Sequence, residues 1–375
     1  MVPIQRAETK SGGMKVGFAP FDQPLHRYLR GATALTGGNQ ATGHPAVTRK
    51  PVDDWRAEMK LAIRDPLQLC SELDLPASWG REAERAAADF PLFVPRPYLK
   101  RIQRRNVDDP LLRQVLPLAA ENDPVDGFSL DPVLDLKAER APGVIQKYAG
   151  RALLVTTGAC AIHCRYCFRR HFPYAAVPQS SRQWQPAIDQ LAADREIEEL
   201  ILSGGDPLTL VDAPLTELIS QIAKIPHIRR LRLHTRLPVV IPSRITDELI
   251  RSLMIDPMVV VVVHINHPQE IDAAVARAIE RLIDAGAIVL NQAVLLRNVN
   301  DCADTLTSLS ERLIDLRVMP YYLNQLDRVS GAAHFEVPIE RGKAIMEQLC
   351  RRLPGYAVPK YVQDSPEFAW KKRLA

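Results

Sequence analysis

Short runs of aliphatic and β-branched residues recur along the chain after residue 150. They occupy residues 152–156, 199–203, 231–235, 259–264, 288–292 and 318–322, and successive runs begin roughly 30 to 45 residues apart. Amphipathic segments at helical spacing, such as 213–223, 247–254 and 271–285, fill the gaps. Because parallel strands need crossovers of this length, the pattern predicts an α/β fold, a six-stranded partial (β/α) barrel. In such barrels the chemistry gathers at the carboxyl ends of the strands.

The sequence around these runs divides into further regions. Residues 1–50 are rich in Gly, Ala, Thr and basic residues without a sustained apolar period, so we predict a poorly ordered N-terminal arm. Residues 51–140 carry apolar residues at helical spacing, punctuated by prolines, and predict a helical N-terminal region. We expect the barrel over residues 141–325 and a C-terminal segment that closes the site over residues 326–375.

Composition and charge exclude several classes of protein without indicating a function. The 375 residues include 48 Lys and Arg against 44 Asp and Glu, a formal net charge of +4, which argues against a nucleic-acid partner. The longest apolar run, residues 258–263, has the length of a strand rather than of a membrane span. Residues 1–15 lack the apolar core of a secretory signal, so we expect a cytoplasmic protein that does not bind membranes.

Three of the six cysteines lie within eight residues, directly after the first predicted barrel strand. Cys160, Cys164 and Cys167 have the spacing Cys-x3-Cys-x2-Cys. Three thiolates on one loop can bind three irons of a [4Fe–4S] cluster and leave the fourth iron open to a small molecule. The alternatives are buried inert thiols or a structural zinc site with His163 or His171 as fourth ligand, although this spacing is not usual for zinc.

A Gly-Gly turn ends the second predicted strand. Ser203, Gly204, Gly205 and Asp206 form it, and adjacent glycines let a ligand approach the backbone closely. Taken alone, this string is also typical of an ordinary turn. Because it follows the cysteine loop by one β/α unit, the pair resembles the radical S-adenosylmethionine superfamily, in which the open iron binds the amino and carboxyl groups of S-adenosylmethionine.

Further strings are similar to the lysine 2,3-aminomutase family, from about residue 147 to the C-terminus. They are CFRR at 167–170, RLPVVIPSRIT at 236–246, HINHP at 264–268, NQAVLLRNVND at 291–301 and GYAVP at 355–359. Within that family, YLNQLD at 322–327 and GAAHF at 331–335 resemble the branch that makes β-lysine for translation elongation factor P, the EpmB proteins.

The resemblance implies an enzyme with three cofactors, namely a [4Fe–4S] cluster, S-adenosyl-L-methionine and pyridoxal 5′-phosphate. The implied reaction converts L-α-lysine to (R)-β-lysine through a 5′-deoxyadenosyl radical. Implied partners are the substrate L-lysine, an electron donor such as a flavodoxin or ferredoxin, and elongation factor P with its lysine ligase. The alternatives are an aminomutase that makes free β-lysine as a metabolite and a non-catalytic iron–sulfur or zinc protein.

The resemblance also implies roles for single residues. Arg169 matches the residue that pairs with the substrate carboxylate, where a planar guanidinium suits the geometry. Asp327 and Asp364 match two carboxylates that bind the ε-ammonium of lysine. Tyr148 and Arg151 match residues that contact pyridoxal phosphate.

Three polar residues at later strand ends are weaker candidates. His264, Asn266 and Gln292 are interpreted as contacts to S-adenosylmethionine, with the alternative that they cap the barrel. Ser203 to Asp206 are expected to contact the same cofactor.

The lysine that binds pyridoxal phosphate is expected at Lys371, counted from Asp364. In the family this lysine follows a glycine-rich turn, whereas residues 365–370 here contain no glycine. Lys372 and, more distantly, Lys360 are therefore rival candidates, and a solvated basic tail is the structural alternative.

Overall fold

The computed structural model describes residues 54–178, 180–365, 368 and 370–375. The predicted arm, residues 1–50, lies outside the described residues. All elements below therefore belong to the rest of the chain.

Short helices form the N-terminal region, as the sequence predicts. They are α1 (Trp55–Lys60), α2 (Pro66–Glu72), α3 (Ala77–Ala86), α4 (Arg96–Leu99) and α5 (Pro110–Arg113). Asp54, Asp65 and Asp109 cap three of them, each through a side-chain oxygen that accepts a hydrogen bond from a backbone N–H of the first turn. No helix among the described residues is long and apolar enough to cross a membrane.

A single mixed sheet follows, and its strand order is the order along the chain. Its strands are β1 (Glu139–Ala141), β2 (Val144–Tyr148), β3 (Arg151–Thr157), β4 (Glu199–Gly204), β5 (Arg230–Thr235), β6 (Met258–His264), β7 (Ile288–Val294), β8 (Met319–Asn324), β9 (Lys360–Gln363) and β10 (Lys372–Arg373). Strands β3 to β9 run parallel to one another, whereas the β1–β2, β2–β3 and β9–β10 pairs are antiparallel. The six predicted barrel strands are confirmed as β3 to β8.

Helices connect the parallel strands. They are α6 (Ser181–Ala193), α7 (Asp212–Ala223), α8 (Leu237–Val240), α9 (Asp247–Ser252), α10 (Ala273–Asp284), α11 (Ala303–Asp315) and α12 (Ile339–Arg352). In α10 the buried residues Val275, Ala278, Ile279 and Leu282 stand at positions i, i+3, i+4 and i+7 and belong to the apolar core. Each fully buried aliphatic side chain of this kind contributes about 1.5–3 kcal/mol.

The apolar core lies between the sheet and these helices. Leu154, Leu202, Leu233 and Val261 are at most 1% exposed and belong to one continuous cluster. Side chains alternate between the two faces of a strand. The residues directly before and after each of these four positions therefore face the inside of the barrel. That inner face carries Ser203, Arg232, His234 and other polar residues, so it is lined for binding rather than for packing.

Candidate active site

A cavity of about 470 Å³ occupies the inside of the partial barrel. Most residues singled out in the sequence line it. They are Tyr148, Arg151, Cys160, Cys164, Cys167, Arg169, Ser203, Gly204, Gly205, Asp206, His264, Gln292, Asp327, Asp364 and Lys371. Asn266 does not line it. Residues spread over more than 220 positions of the chain thus meet in one space.

The cysteine loop forms one wall of the cavity. Burial raises the pKa of Cys160 and raises the pKa of Cys167 to about 11, so these groups are thiols unless a metal ion supplies positive charge. Among the described residues, no three His, Cys, Asp or Glu side chains form a group that could hold a metal ion. Cys160, Cys164 and Cys167 all line the same cavity, and a [4Fe–4S] cluster takes its cysteines on different irons.

An arginine that the sequence reasoning did not assign contacts this wall. Arg236 donates from Nη1 to Cys164 Sγ at 2.6 Å and from Nη2 to Glu270 Oε2 at 2.8 Å. It directly follows β5 and is the first residue of the string RLPVVIPSRIT, whose resemblance to the family implies no role for it. Its buried positive charge lies beside a ligand that is negative when a cluster is bound.

The Gly-Gly turn packs against the backbone of the cysteine loop. A Cβ on Gly205 would lie 2.2 Å from the Ala159 carbonyl oxygen, and one on Gly204 would lie 2.6 Å from that of Thr157. Gly205 N–H donates to the Thr157 oxygen at 2.7 Å. The glycines are therefore required for the contact between the two loops, whichever ligand lies above them.

Asp206 holds the next turn in place. Its carboxylate accepts hydrogen bonds from Thr235 Oγ1 at 2.8 Å and from the backbone N–H groups of Leu208, Arg236 and Leu237. Its oxygens thus join the ends of β4 and β5.

A cationic cluster, formed by Arg169, Lys147 and Asp135, lies in the cavity wall. Arg169 Nε donates to Asp135 Oδ2 at 2.7 Å, and Lys147 Nζ lies 2.5 Å from Asp135 Oδ1. Burial alone would raise the pKa of Asp135, but Arg169 and Lys147 together hold that pKa below its usual value. The sequence indicates neither Asp135 nor Lys147, since both lie before β3 and outside any motif.

An acidic cluster, formed by Asp327, Asp364, Lys371 and Tyr148, lines the same cavity. Asp364 accepts from Tyr148 Oη at 2.9 Å and from Lys371 Nζ at 3.0 Å. Burial opposes the charge of Asp364, yet Lys371 and Lys147 lower its pKa. Burial raises the pKa of Asp327 to about 7, despite the opposing charge of Lys371.

The structure separates the candidate lysines. Lys371 lines the cavity beside Asp364. Lys372 is exposed, with Nζ 5.5 Å from the ring centroid of Phe368, and Lys360 is exposed at the start of β9. The pairing of Lys372 with Gln363 across β10 and β9 brings Lys371 next to Asp364 without a glycine-rich turn.

Arg151 lines this cavity and has a hydrogen-bond donor without an acceptor. Its guanidinium lies 4.7 Å from the ring centroid of Tyr148. Its buried Nε has no hydrogen-bond partner within the described part of the chain. A buried guanidinium donor without an acceptor suits an anionic group such as a phosphate, so Lys371 and Arg151 fit pyridoxal phosphate.

Polar residues at the ends of β6 and β7 differ in their accessibility. Gln292 Nε2 and His264 Nε2 are 2.9 Å apart in the cavity wall, and burial lowers the pKa of His264 to about 3. Asn266 lies behind the wall and donates to Tyr166 Oη at 2.7 Å and Gln114 Oε1 at 3.0 Å. Asn266 therefore braces the wall instead of facing the cavity.

Comparisons with known proteins agree with this geometry. A family model of the Radical SAM superfamily matches residues 154–309. The chain is 46% identical over 314 residues to the L-lysine 2,3-aminomutase of Escherichia coli (strain K12), a match covering 83% of this chain and 92% of that protein. It is 44% identical over 312 residues to the L-lysine 2,3-aminomutase of Haemophilus influenzae, covering 83% and 92%. Its identity to that of Clostridium subterminale is 34% over 317 residues, covering 84% and 76%.

A cysteine loop after the first parallel strand of an open barrel, together with this match, defines a radical S-adenosylmethionine enzyme. The relatives define it further: the chain belongs to the L-lysine 2,3-aminomutase family, whose members are isomerases. Membership implies a [4Fe–4S] cluster, S-adenosylmethionine and pyridoxal phosphate as cofactors. The expected enzyme class, fold and cofactors are thereby confirmed.

Proposed function

We propose that the protein converts L-α-lysine to (R)-β-lysine in the cytoplasm and supplies the product for modification of elongation factor P. The observation that carries the first part is the pair of oppositely charged clusters in one cavity. L-Lysine has a carboxylate at one end and an ammonium at the other, so a site with a buried arginine and two carboxylates complements both. Its relatives bear the name L-lysine 2,3-aminomutase.

Arg169 is proposed to bind the substrate carboxylate. Its guanidinium is fixed on two sides, by Asp135 at Nε and by Ser203 Oγ at Nη1 with a distance of 3.1 Å. Within the described residues, Nη2 has no hydrogen-bond partner. A planar guanidinium that is held at two nitrogens and has the third nitrogen available to donate suits a carboxylate.

Asp327 and Asp364 are proposed to bind the ε-ammonium. Lys147 of the cationic cluster influences the pKa of both carboxylates, so the two clusters lie within electrostatic reach of each other. A substrate that touches both must therefore be small, as lysine is. A glutamate side chain would meet like charge at this position.

Lys371 is proposed to hold pyridoxal phosphate, with Tyr148 and Arg151 beside it. Cys160, Cys164 and Cys167 are proposed to hold the cluster, and Ser203, Gly204, Gly205, Asp206, His264 and Gln292 to surround S-adenosylmethionine, with Asn266 supporting them. When bound, these groups supply a radical that removes hydrogen from Cβ and a conjugated aldehyde that carries the migrating nitrogen. The chain's own residues orient the substrate, exclude water and hold Asp364 ionised.

An activity assay on protein purified without oxygen tests the proposed reaction. Reconstituted protein should be brown, show a [4Fe–4S] spectrum and convert L-lysine to β-lysine when given S-adenosylmethionine, pyridoxal phosphate and a reductant. Flavodoxin or ferredoxin should replace a chemical reductant. A colourless zinc protein that forms no product would refute the proposal and favour the non-catalytic alternative.

The use of the product needs a separate test. The proposal rests on the resemblance of YLNQLD at 322–327 and GAAHF at 331–335 to the elongation factor P branch. With elongation factor P and its lysine ligase present, modification should be faster when this enzyme generates β-lysine than when only α-lysine is supplied. Growth on lysine that depends on the protein, with no effect on elongation factor P, would instead support a free metabolite.

A further inference from the structure

Asp135 joins two cations in the wall of the cavity. It lies in the turn before β1 and is 3% exposed. One carboxylate oxygen lies 2.5 Å from Lys147 Nζ and the other accepts from Arg169 Nε at 2.7 Å. All three side chains are at least four-fifths buried. A buried ion cluster of this kind is expensive to assemble, so its arrangement calls for a function.

We propose that Asp135 is a positioning residue for Arg169 and that, with Lys147, it sets the cationic cluster to the single positive charge that a substrate carboxylate neutralises. This inference rests on the proposed function, because it assumes that Arg169 binds the carboxylate of lysine.

The positioning part follows from the directions of the hydrogen bonds. Asp135 accepts from Nε of Arg169, and Ser203 Oγ accepts from Nη1. Two acceptors on different nitrogens fix the plane of the guanidinium, which an isolated long side chain would not maintain. The nitrogen left over, Nη2, faces no acceptor among the described residues. The N–H groups of Nη2 are therefore presented in one orientation.

The charge part of the proposal follows from the formal charges in the cationic cluster. Lys147 and Arg169 contribute two positive charges and Asp135 contributes one negative charge, which leaves +1. Without Lys147, Asp135 would neutralise Arg169 and compete with the substrate carboxylate for it. Without Asp135, two buried cations would repel each other and Arg169 would lose its fixed orientation. Lys147 thus frees Arg169 to bind a second carboxylate.

The first test removes Lys147 and compares two ligands, L-lysine and L-lysinamide, which lacks the carboxylate. Affinities are measured at equilibrium on reconstituted protein without reductant, so that no turnover occurs. In Lys147→Met the preference for lysine over lysinamide should fall about ten-fold, as expected for a lost charge-assisted interaction. Effects of Lys147 on the acidic cluster cancel in this ratio, because both ligands carry the ε-ammonium. Lys137→Met, an exposed lysine in the same segment, is the matched control and should leave the ratio unchanged.

The second test separates charge from orientation. In Lys147→Met with Asp135→Ala, the cluster returns to one positive charge, so the preference for lysine should recover. Turnover of the double variant at saturating lysine should nevertheless be roughly 100-fold lower than that of the wild-type protein, because misplacement of a substrate by about 1 Å lowers the rate by that factor. A residue with only a structural role would not give recovered binding together with lost turnover.

Three results have different meanings. An unchanged ligand preference in Lys147→Met, or wild-type turnover in the double variant, overturns the inference while the proposed function stands. Wild-type protein that neither binds nor converts lysine overturns the proposed function itself. If the double variant does not fold, as shown by its iron content and thermal midpoint, the ratio in Lys147→Met still decides the charge part.

Discussion

At the scale of single residues, burial gives the two carboxylates of the acidic cluster different protonation behaviour. Asp364 is paired with Lys371 and Tyr148, and its pKa is lowered. Asp327 accepts no hydrogen bond through its carboxylate from any described residue, and burial raises its pKa to about 7. Only the ionised form of Asp327 attracts an ammonium group. Asp327 is therefore the residue whose charge state changes near neutral pH.

We expect lysine binding to tighten as pH rises through about 7. Below this pH Asp327 is protonated and only Asp364 faces the ammonium, whereas above it both carboxylates are charged. The ε-ammonium itself stays charged, because its pKa is about 10.4. The measurement is the dissociation constant of lysine between pH 6 and 8.5, without reductant. Asp327→Asn should bind lysine more weakly and lose this pH dependence, and a variant that keeps the wild-type dependence would assign it to another group.

Lys371 and its neighbour Lys372 form a matched pair for testing the cofactor lysine. Only Lys371 reaches the cavity. We expect Lys371→Ala to abolish the visible absorbance of lysine-bound pyridoxal phosphate and Lys372→Ala to retain it. Both variants should keep the [4Fe–4S] spectrum, since neither residue contacts the cysteine loop. Unchanged pyridoxal absorbance in Lys371→Ala would remove this assignment.

The residues that sequence reasoning found and missed differ in how they are brought to the cavity. Cys160, Cys164 and Cys167 share one loop, so their spacing reveals them. Asp135 and Lys147 lie before β3, and they meet Arg169 through the folded arrangement in which β1 pairs with β2 and β2 with β3. No local spacing carries that information. Asn266 follows the end of β6, as the sequence predicts, but its side chain does not line the cavity and donates to Tyr166 and Gln114.

At the scale of elements, the sequence predicts the strands that are long and buried and does not predict those that are short and exposed. Strands β3 to β8 have six or seven residues each, and their aliphatic runs are buried between helices and the barrel interior. Strands β1 and β10 have three and two residues and mostly polar, exposed side chains, so they carry no alternating pattern. They are defined by their partners in the sheet. Strand β10 nevertheless places Lys371, which shows that an element without a sequence signal can position a functional group.

The contact between the Gly-Gly turn and the cysteine loop gives a prediction at this scale. In Gly205→Ala the new Cβ would meet the backbone carbonyl of Ala159, so one loop must shift at a cost of about 1–3 kcal/mol or more. We expect iron content per chain to fall with little change in secondary structure. Gly355→Ala is the control, because no atom lies within 4 Å of its Cβ. Full iron loading in Gly205→Ala would show that the loops move independently.

At the scale of the whole molecule, one buried carboxylate links three regions of the described chain. Glu121 belongs to the helical N-terminal region and accepts from Arg165 and Arg170 of the cysteine loop, at 2.5 and 2.7 Å. Arg170 Nη1 also donates to the carbonyl oxygen of Gly331 at 3.0 Å, in the segment that follows Asp327. The side chains of Glu121, Arg165 and Arg170 are at most 4% exposed. The N-terminal region, the cysteine loop and the C-terminal segment thus share one ion cluster.

Removing the charge of Glu121 should therefore lower the free energy of unfolding far more than removing the charge of a partly exposed glutamate. In Glu121→Gln two buried guanidinium groups lose their anion, which costs about 3–5 kcal/mol for a buried pair. Glu72→Gln breaks the partly exposed pair with Arg96, and we expect a loss of about 1 kcal/mol or less. Thermal unfolding of both variants, with iron content measured beside it, compares the two. A large loss of stability in Glu121→Gln, together with depleted iron, would show that the shared carboxylate keeps the cysteine loop in place. Equal losses of stability in the two variants would mean that the three regions are held together by apolar packing alone.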